Sequence, residues 1–541
     1  MLKFQDNYVI AINFDVLRDT WMHMEFQKDR CRRFASFALV ALAGLCMSSC
    51  ANDSGKSRVP VLAEGATAYR VSTQSDFDAL KPIVFSGGDQ ILFERGRSFD
   101  GVLSLQRNHV RPDSVITVAD FGSADEARPV ISADAEGMGI IDIRDSGGWI
   151  IENLELSNQS AIRSERHGIF VTATDSGTHK NFVIRNCFIH DVTGVLDDFN
   201  NGGIVFRVRG STVPTKFDGV LIEDNEIRNI SGVGIRTKST WEADPDDPRG
   251  VDNPIGRHAH LNVVVRGNRV SDVTRNAIVI ASADAPLAEY NVMGPRIATE
   301  TTGNTLYNYA TDDALIQYNE AFGNHGPAAD KDRGGFDADY NSRNTVFQYN
   351  YSHDNNFAFA IMRKYGDGIY FHHNISVNDR FGFFHYGFYD DHAISNVVVS
   401  NNTFYSTHPN MMMFMNYGPL REPIDTTIVD NIFVFAGGGA SWGSEPTAER
   451  GNIFDNNIVI GLEDPNYVDL MADPLISAPG DGGTEIDMAD PRRLSGYRLC
   501  AGSPAIGTGR AGDNEVQTDF WDDEITTMNI GAYGGDGLDC E

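Results

Sequence analysis

"NVVVRGNRVSDVTRNAIVI", residues 262–280, reads as one unit of a repeat. A short β-branched run comes first, then Asn268, an apolar residue, a few polar residues and a second apolar run. The unit returns in "NFVIRNCFIHDVTG" (181–194), "GVLIEDNEIRNISGVGIRT" (219–237), "ALIQYNEAFGNHG" (314–326), "TVFQYNYSHDN" (345–355), "GIYFHHNISVNDRFGFF" (368–384), "NVVVSNNTFYST" (396–407) and "TTIVDNIFVFAG" (426–437). The marker asparagines are Asn186, Asn225, Asn268, Asn319, Asn350, Asn374, Asn402 and Asn431. Their spacing, from the mid-twenties to about fifty, is that of solenoid coils with insertions.

Each run alternates apolar and polar residues, the period of a strand. Asparagine tolerates left-handed backbone at a bend, and its amide can bond the next coil, so one asparagine per coil predicts a ladder. Helical solenoids are excluded because no 3.6-residue period is present. A sandwich of hairpins would show two-residue Asn-Gly turns between equal strands, which are missing. The 53 glycines and 41% hydrophobic residues suit a turn-rich all-β chain with a sizeable core.

The repeat resembles the right-handed parallel β-helix of the pectin-lyase-like superfamily, over roughly residues 85–470. "GGDQILFERGRSFDGVLSL" (87–105) looks like a first coil, and "STQSDFDALKPIV" (72–84) like a short helix capping the open end. "GSPAIGTG" (502–509) and "NIGAYGG" (529–535) are similar to the C-terminal segment of many bacterial β-helix proteins. The expected organisation is an N-terminal extension and signal (1–50), a tether (51–70), a single-stranded β-helix (71–470) and an irregular C-terminal segment packing on the last coils (471–541).

"KDRCRRFASFALVALAGLCMSSC" (28–50) has a basic start, an apolar run too short for a transmembrane helix, and small residues before Cys50. It resembles a bacterial lipoprotein signal with Cys50 lipidated and a start at Met22 or Met24. The protein is therefore expected to be exported and anchored only by lipid, in the periplasm or on the outer membrane. Cys500 and Cys540 could then form a disulfide. Cys187 reads as a buried filler. The net charge of −31 disfavours nucleic acid and anionic lipid as partners. A monomer acting on a polysaccharide is expected.

Aligning the second run of each coil places Ile235, Ile278, Phe336, Phe357 and Phe381 inward. Arg236, Lys238, Asp337 and Asp339 then point outward, with Arg207 one coil earlier. Asp337 and Asp339 come out roughly 7 Å apart by strand rise, and the cations two coils, about 10 Å, away. The loop "NHGPAADKDRGG" (324–335) adds Asp330, Lys331, Asp332 and Arg333. Long loops often line binding sites. Arg363, His385 and Tyr386 are candidates for holding sugar, and Asp312, Asp313, Asp332 and Asp337 for holding Ca²⁺.

The first functional expectation is a lyase cleaving a uronate-containing polysaccharide by β-elimination. Lys238 would be the base, Arg236 and Arg207 would grip carboxylates, and Ca²⁺ would stabilise the developing charge. A related pectate-lyase family carries a lysine near the place of Asp339 in its motif similar to "GGFDADY" (334–340). The second expectation is a glycoside hydrolase in which Asp337 and Asp339 form the acid and base pair. The third is a non-enzymatic surface β-helix, adhesin-like or glycan-binding.

Overall fold

The computed structural model describes residues 62–241, 257–296, 301–327, 332–363, 366–388, 394–415, 423–462, 472–480, 482–486, 488–510 and 516–540. The expected export signal and Cys50 lie outside the described residues.

Successive strands fall into three parallel sheets, one strand per sheet per coil. Sheet 1 runs from Ala68–Val71 to Ile453–Asp455, sheet 2 from Ser98–Asp100 to Ile458–Ile460, and sheet 3 from Val84–Phe85 to Ser441–Gly443. The fold is the right-handed parallel β-helix. Before the first full coil, Gln74–Ala79 forms a helix, and Thr73 and Asp76 close a capping box at its start. Its Phe77 packs on Phe93 and Phe99, covering the end of the core. The capping helix read from the sequence is thus present.

The asparagine ladder runs along the bend between sheets 1 and 2. Each rung's Oδ1 accepts from both the backbone N–H and the Nδ2 of the rung before it, as Asn350 does from Asn319 at 3.0 Å each. The rungs are Asn225, Asn268, Asn291, Asn319, Asn350, Asn374, Asn402, Asn431 and Asn457. The left-handed residue is not the rung itself but the one before it, such as Tyr318, Tyr349, His373 and Asn401. This moves one marker: Asn186 is the left-handed residue, and Cys187 takes the rung, its N–H donating to Asn225 Oδ1 at 3.0 Å. Cys187 is buried there as expected.

Inside, phenylalanines stack along the axis: Phe336 on Phe359 at 5.7 Å, Phe359 on Phe384 at 6.0 Å, and Phe384 on Phe414 at 5.4 Å. Such stacking combines large apolar burial with favourable ring geometry along these four coils. Outside sheet 2, the C-terminal segment buries Leu494, Tyr497, Phe520 and Trp521 against Tyr351, Ile375, Ile432 and Ile458. The Ile486 N–H also donates to buried Glu320 at 2.6 Å. Cys500 and Cys540 are disulfide-bonded. The later strands of sheet 2 are thus covered on the outside.

Candidate active site

The outward rows of sheet 3 follow from strand pairing. One row reads Phe170, Val205, Arg236, Val279, Tyr307, Asp337, Ala360, His385 and Met415. A second places Arg207 beside Lys238. Arg207, Arg236, Lys238 and Asp337 therefore share the outer face, as the alternation predicted, and Asp339 follows just past the end of the strand Gly334–Ala338. The spacing differs: Arg236 pairs with Val279, Val279 with Tyr307, and Tyr307 with Asp337. Three steps separate the cation from the acid, about 14 Å rather than about 10 Å. The extra coil contains Leu306–Tyr309 and the rung Asn291.

Two inward assignments also change. Phe357 and Phe381 lie outside the barrel, packed with Ala360 and Met415, while Ala358, Phe359, Phe383 and Phe384 are in the core. Where the chain bends into sheet 3, two successive side chains point inward, so strict alternation slips by one. Tyr386 moves for the same reason. It is buried in the core with its hydroxyl at Thr426 Oγ1, and it does not face a sugar. His385 does point out, with its ring on the edge of Phe357 at 5.1 Å. Arg363 ends its strand beside Phe388; its side chain lies outside what is described.

"GGFDADY" shows why this strand carries the site. A Cβ on Gly334 would meet the Phe357 ring at 2.1 Å, and one on Gly335 the Ser352 Oγ at 2.6 Å. The glycines let the strand lie close to the next coil. Asp337 is 3% exposed. Asn304 Nδ2 donates to its Oδ2 at 2.6 Å, while Oδ1 is buried with no hydrogen-bond partner among the described residues. Burial, and after it the charge of Asp339, push the Asp337 carboxyl well above the usual carboxylate range, against the bond from Asn304; Asp332 adds to the rise. Asp337 is thus shifted toward its protonated form relative to an exposed aspartate.

The cations are held in place. Arg207 pairs with Glu165 at 2.7 Å and lies over Phe170 at 4.5 Å. Bonds from His167, and then from Arg207, outweigh burial and draw the Glu165 carboxyl down to about 2. Phe199 is clamped between Arg275, at 3.6 Å, and Arg236, at 5.2 Å. Arg236 also donates to the Phe199 carbonyl at 2.6 Å, and Arg275 pairs with Asp197. These contacts hold Asp197 and Phe199 against the two arginines, and Phe357, Ala360 and Met415 form a separate apolar cluster further along the sheet.

The four acids proposed for Ca²⁺ are not gathered. Asp312 pairs with Arg257 at 2.7 Å and Arg343 at 2.8 Å, and Asp313 accepts from Asn344. Arginines already match the charge there, and the acids acting on Asp337 are Asp339 and Asp332. Among the described residues no group of three or more His, Cys, Asp or Glu is placed to hold a metal ion. Asp330 and Lys331 lie outside the described residues. Arg333 is buried, with its Nη2 on the Thr301 carbonyl at 2.9 Å.

Sequence reasoning did not find Phe170, Phe199, Arg275, Asn304 or Tyr307. The alternation of "LYNY" (306–309) is the one available signal. It was hidden because the run before Asn291 is short and not β-branched.

No family model matches the chain. In sequence it is 25% identical over 554 aligned residues to the lacto-N-biosidase of Bifidobacterium longum subsp. longum, covering 83% of this chain and 34% of that protein. The chain thus spans about a third of that relative's length. Among solved structures, the native GH136 lacto-N-biosidase from Eubacterium ramulus matches with a TM-score of 0.51 at 19% identity, over 73% of this chain and 68% of that one. Its selenomethionine form matches at 0.50 and 21%, over 63% and 64%. The chain shares its β-helix fold with these structures, and in sequence it is similar to a lacto-N-biosidase.

Proposed function

We propose that the protein is a glycoside hydrolase whose reaction centres on Asp337. The observation that carries this reading is a buried aspartate on the outward face of sheet 3, its carboxyl shifted toward the protonated form by burial, with a second carboxylate, Asp339, just past the end of the strand Gly334–Ala338. Glycosidic cleavage needs such a pair: an acid to protonate the leaving oxygen and a carboxylate to activate water or attack carbon. Environment divides the roles. Asp337 is the acid, and Asp339 is the second carboxylate. The similarity to a lacto-N-biosidase supports hydrolysis, and a lacto-N-bioside is the first substrate to test.

The β-elimination reading finds less support. Its base, Lys238, is in the row of Arg207, three coils from the acids. Arg207 is committed to Glu165, and Arg236 to a backbone carbonyl.

Product chemistry separates the two. An aryl lacto-N-bioside and a panel of neutral and uronate-containing glycans are incubated with the protein. New reducing ends without unsaturated-uronate absorbance are expected; matched growth of that absorbance would overturn the hydrolase reading. Asn variants of Asp330, Asp332 and Asp339 then identify the second carboxylate. Loss comparable to that of Asp337→Asn is expected only for Asp339, and full activity in Asp339→Asn would remove it from the pair.

We also propose export with lipidation at Cys50. A labelled fatty acid should be incorporated by the wild type and not by Cys50→Ser; equal labelling would refute this.

A further inference from the structure

Asp337 has two oxygens in different circumstances, and one neighbour makes the difference. Asn304 is buried, at 3% exposure. Its Oδ1 accepts the backbone N–H of Gly334 at 2.8 Å, three residues before Asp337. A backbone N–H can only donate, so the atom of Asn304 facing it is the oxygen, and the amide nitrogen must face Asp337. That nitrogen bonds Oδ2 at 2.6 Å. The backbone of Asn304 is held in turn, since its carbonyl accepts from Asn276 Nδ2 at 2.5 Å. Oδ2 is therefore an acceptor, and a proton on the neutral carboxyl belongs on Oδ1. Oδ1 is the buried atom with no hydrogen-bond partner among the described residues. A buried polar atom left unpaired costs free energy unless something else completes it.

We propose that Asn304 is the positioning residue of Asp337: its amide takes Oδ2, fixes the carboxyl plane, and reserves Oδ1 for the hydrogen bond to the glycosidic oxygen. The inference rests on the hydrolase reading above. Asn304 touches no substrate and acts through Asp337. It also links the orientation of the acid to the backbone of the strand that carries it, through Gly334. The same bond favours the ionised form of Asp337, in opposition to burial and to Asp339.

Asn304→Asp tests this. The variant keeps an oxygen for the Gly334 N–H but replaces the donor that faces Asp337 with a second acceptor. A purely structural asparagine would register the change in melting temperature and leave the pH profile of the folded enzyme unmoved. For a positioning residue, kcat should fall by about 100-fold with KM little changed, the loss expected when a reacting group is slightly misplaced. The alkaline limb of the kcat–pH profile, which reports loss of the acid's proton, should also move upward, because the donor that favoured ionisation is gone. If Asn304→Asp lowers the melting temperature sharply, Asn304→Ala provides the same readout, with an upward shift of that limb expected in the folded fraction. An unmoved limb in the folded variant would overturn the inference, as would wild-type kcat. Asp337→Asn, measured in parallel, keeps the two readings apart. If it stays active, the hydrolase reading fails. If it is inactive while Asn304→Asp behaves as wild type, only the positioning role fails.

Discussion

A single buried carboxyl can set how stability depends on pH. Asp379 is fully buried, and its oxygens accept from the Asn355 N–H at 2.9 Å and the hydroxyls of Ser352 and Ser376 at 2.9 and 2.7 Å. Burial pushes its pKa from 3.8 up to about 6, against these bonds. The folded state therefore binds this proton more tightly than the unfolded chain. The stabilisation is fully present below about pH 4 and is lost as pH rises through about 6. At 1.36 kcal/mol per pKa unit, the loss is on the order of 1–3 kcal/mol. Asp379→Asn keeps the oxygen for Asn355 and cannot ionise. It should melt higher than the wild type at pH 8, by a margin that shrinks toward pH 4. A constant margin across that range would contradict the assignment. Asp337 was legible as an outward acid from strand period alone. Its burial was not, because Asn304, which meets it, lies 33 residues earlier in the chain.

Each coil element is secured by its rung. Removing Asn350 would strip the acceptor from the N–H and Nδ2 of Asn319 and leave both buried. An unsatisfied buried donor costs about 1–3 kcal/mol, so Asn350→Ala should cost about 2–4 kcal/mol, measured by denaturant unfolding. A cost below about 1 kcal/mol would mean that the ladder is not structural. Cys187 offers the opposite test. It sits on a rung with its sulfur toward the Ile151 carbonyl, the place where Asn225 finds that of Ile184. Cys187→Asn should extend the ladder by one coil and stabilise by about 1 kcal/mol, the usual net worth of a hydrogen bond; destabilisation would argue against it. Most rungs were legible because strand and asparagine recur together. Asn291 and Asn457 were missed where the flanking runs are short. The bend into sheet 3 hid the true phase of Phe357, Phe381 and Tyr386, since sequence period does not record two successive inward residues.

Across the whole molecule, two outer faces have different fates. Sheet 2 is roofed by the C-terminal segment, and sheet 3 carries the acids. The Cys500–Cys540 bond closes a loop with a sequence separation of 40, worth about 4 kcal/mol by chain entropy. Cys540→Ser should therefore loosen the roof first, with earlier proteolysis after residue 471, while hydrolysis at ordinary temperature is unchanged. Lost activity without unfolding would connect the roof to the site. The measurement that most directly tests the account is the kcat of Asp337→Asn on a glycan the wild type cleaves. With the fold retained, as read by melting temperature, a fall of at least about 100-fold is expected, the low end of what general acid catalysis contributes. Activity within about threefold of wild type would show that the chemistry lies elsewhere.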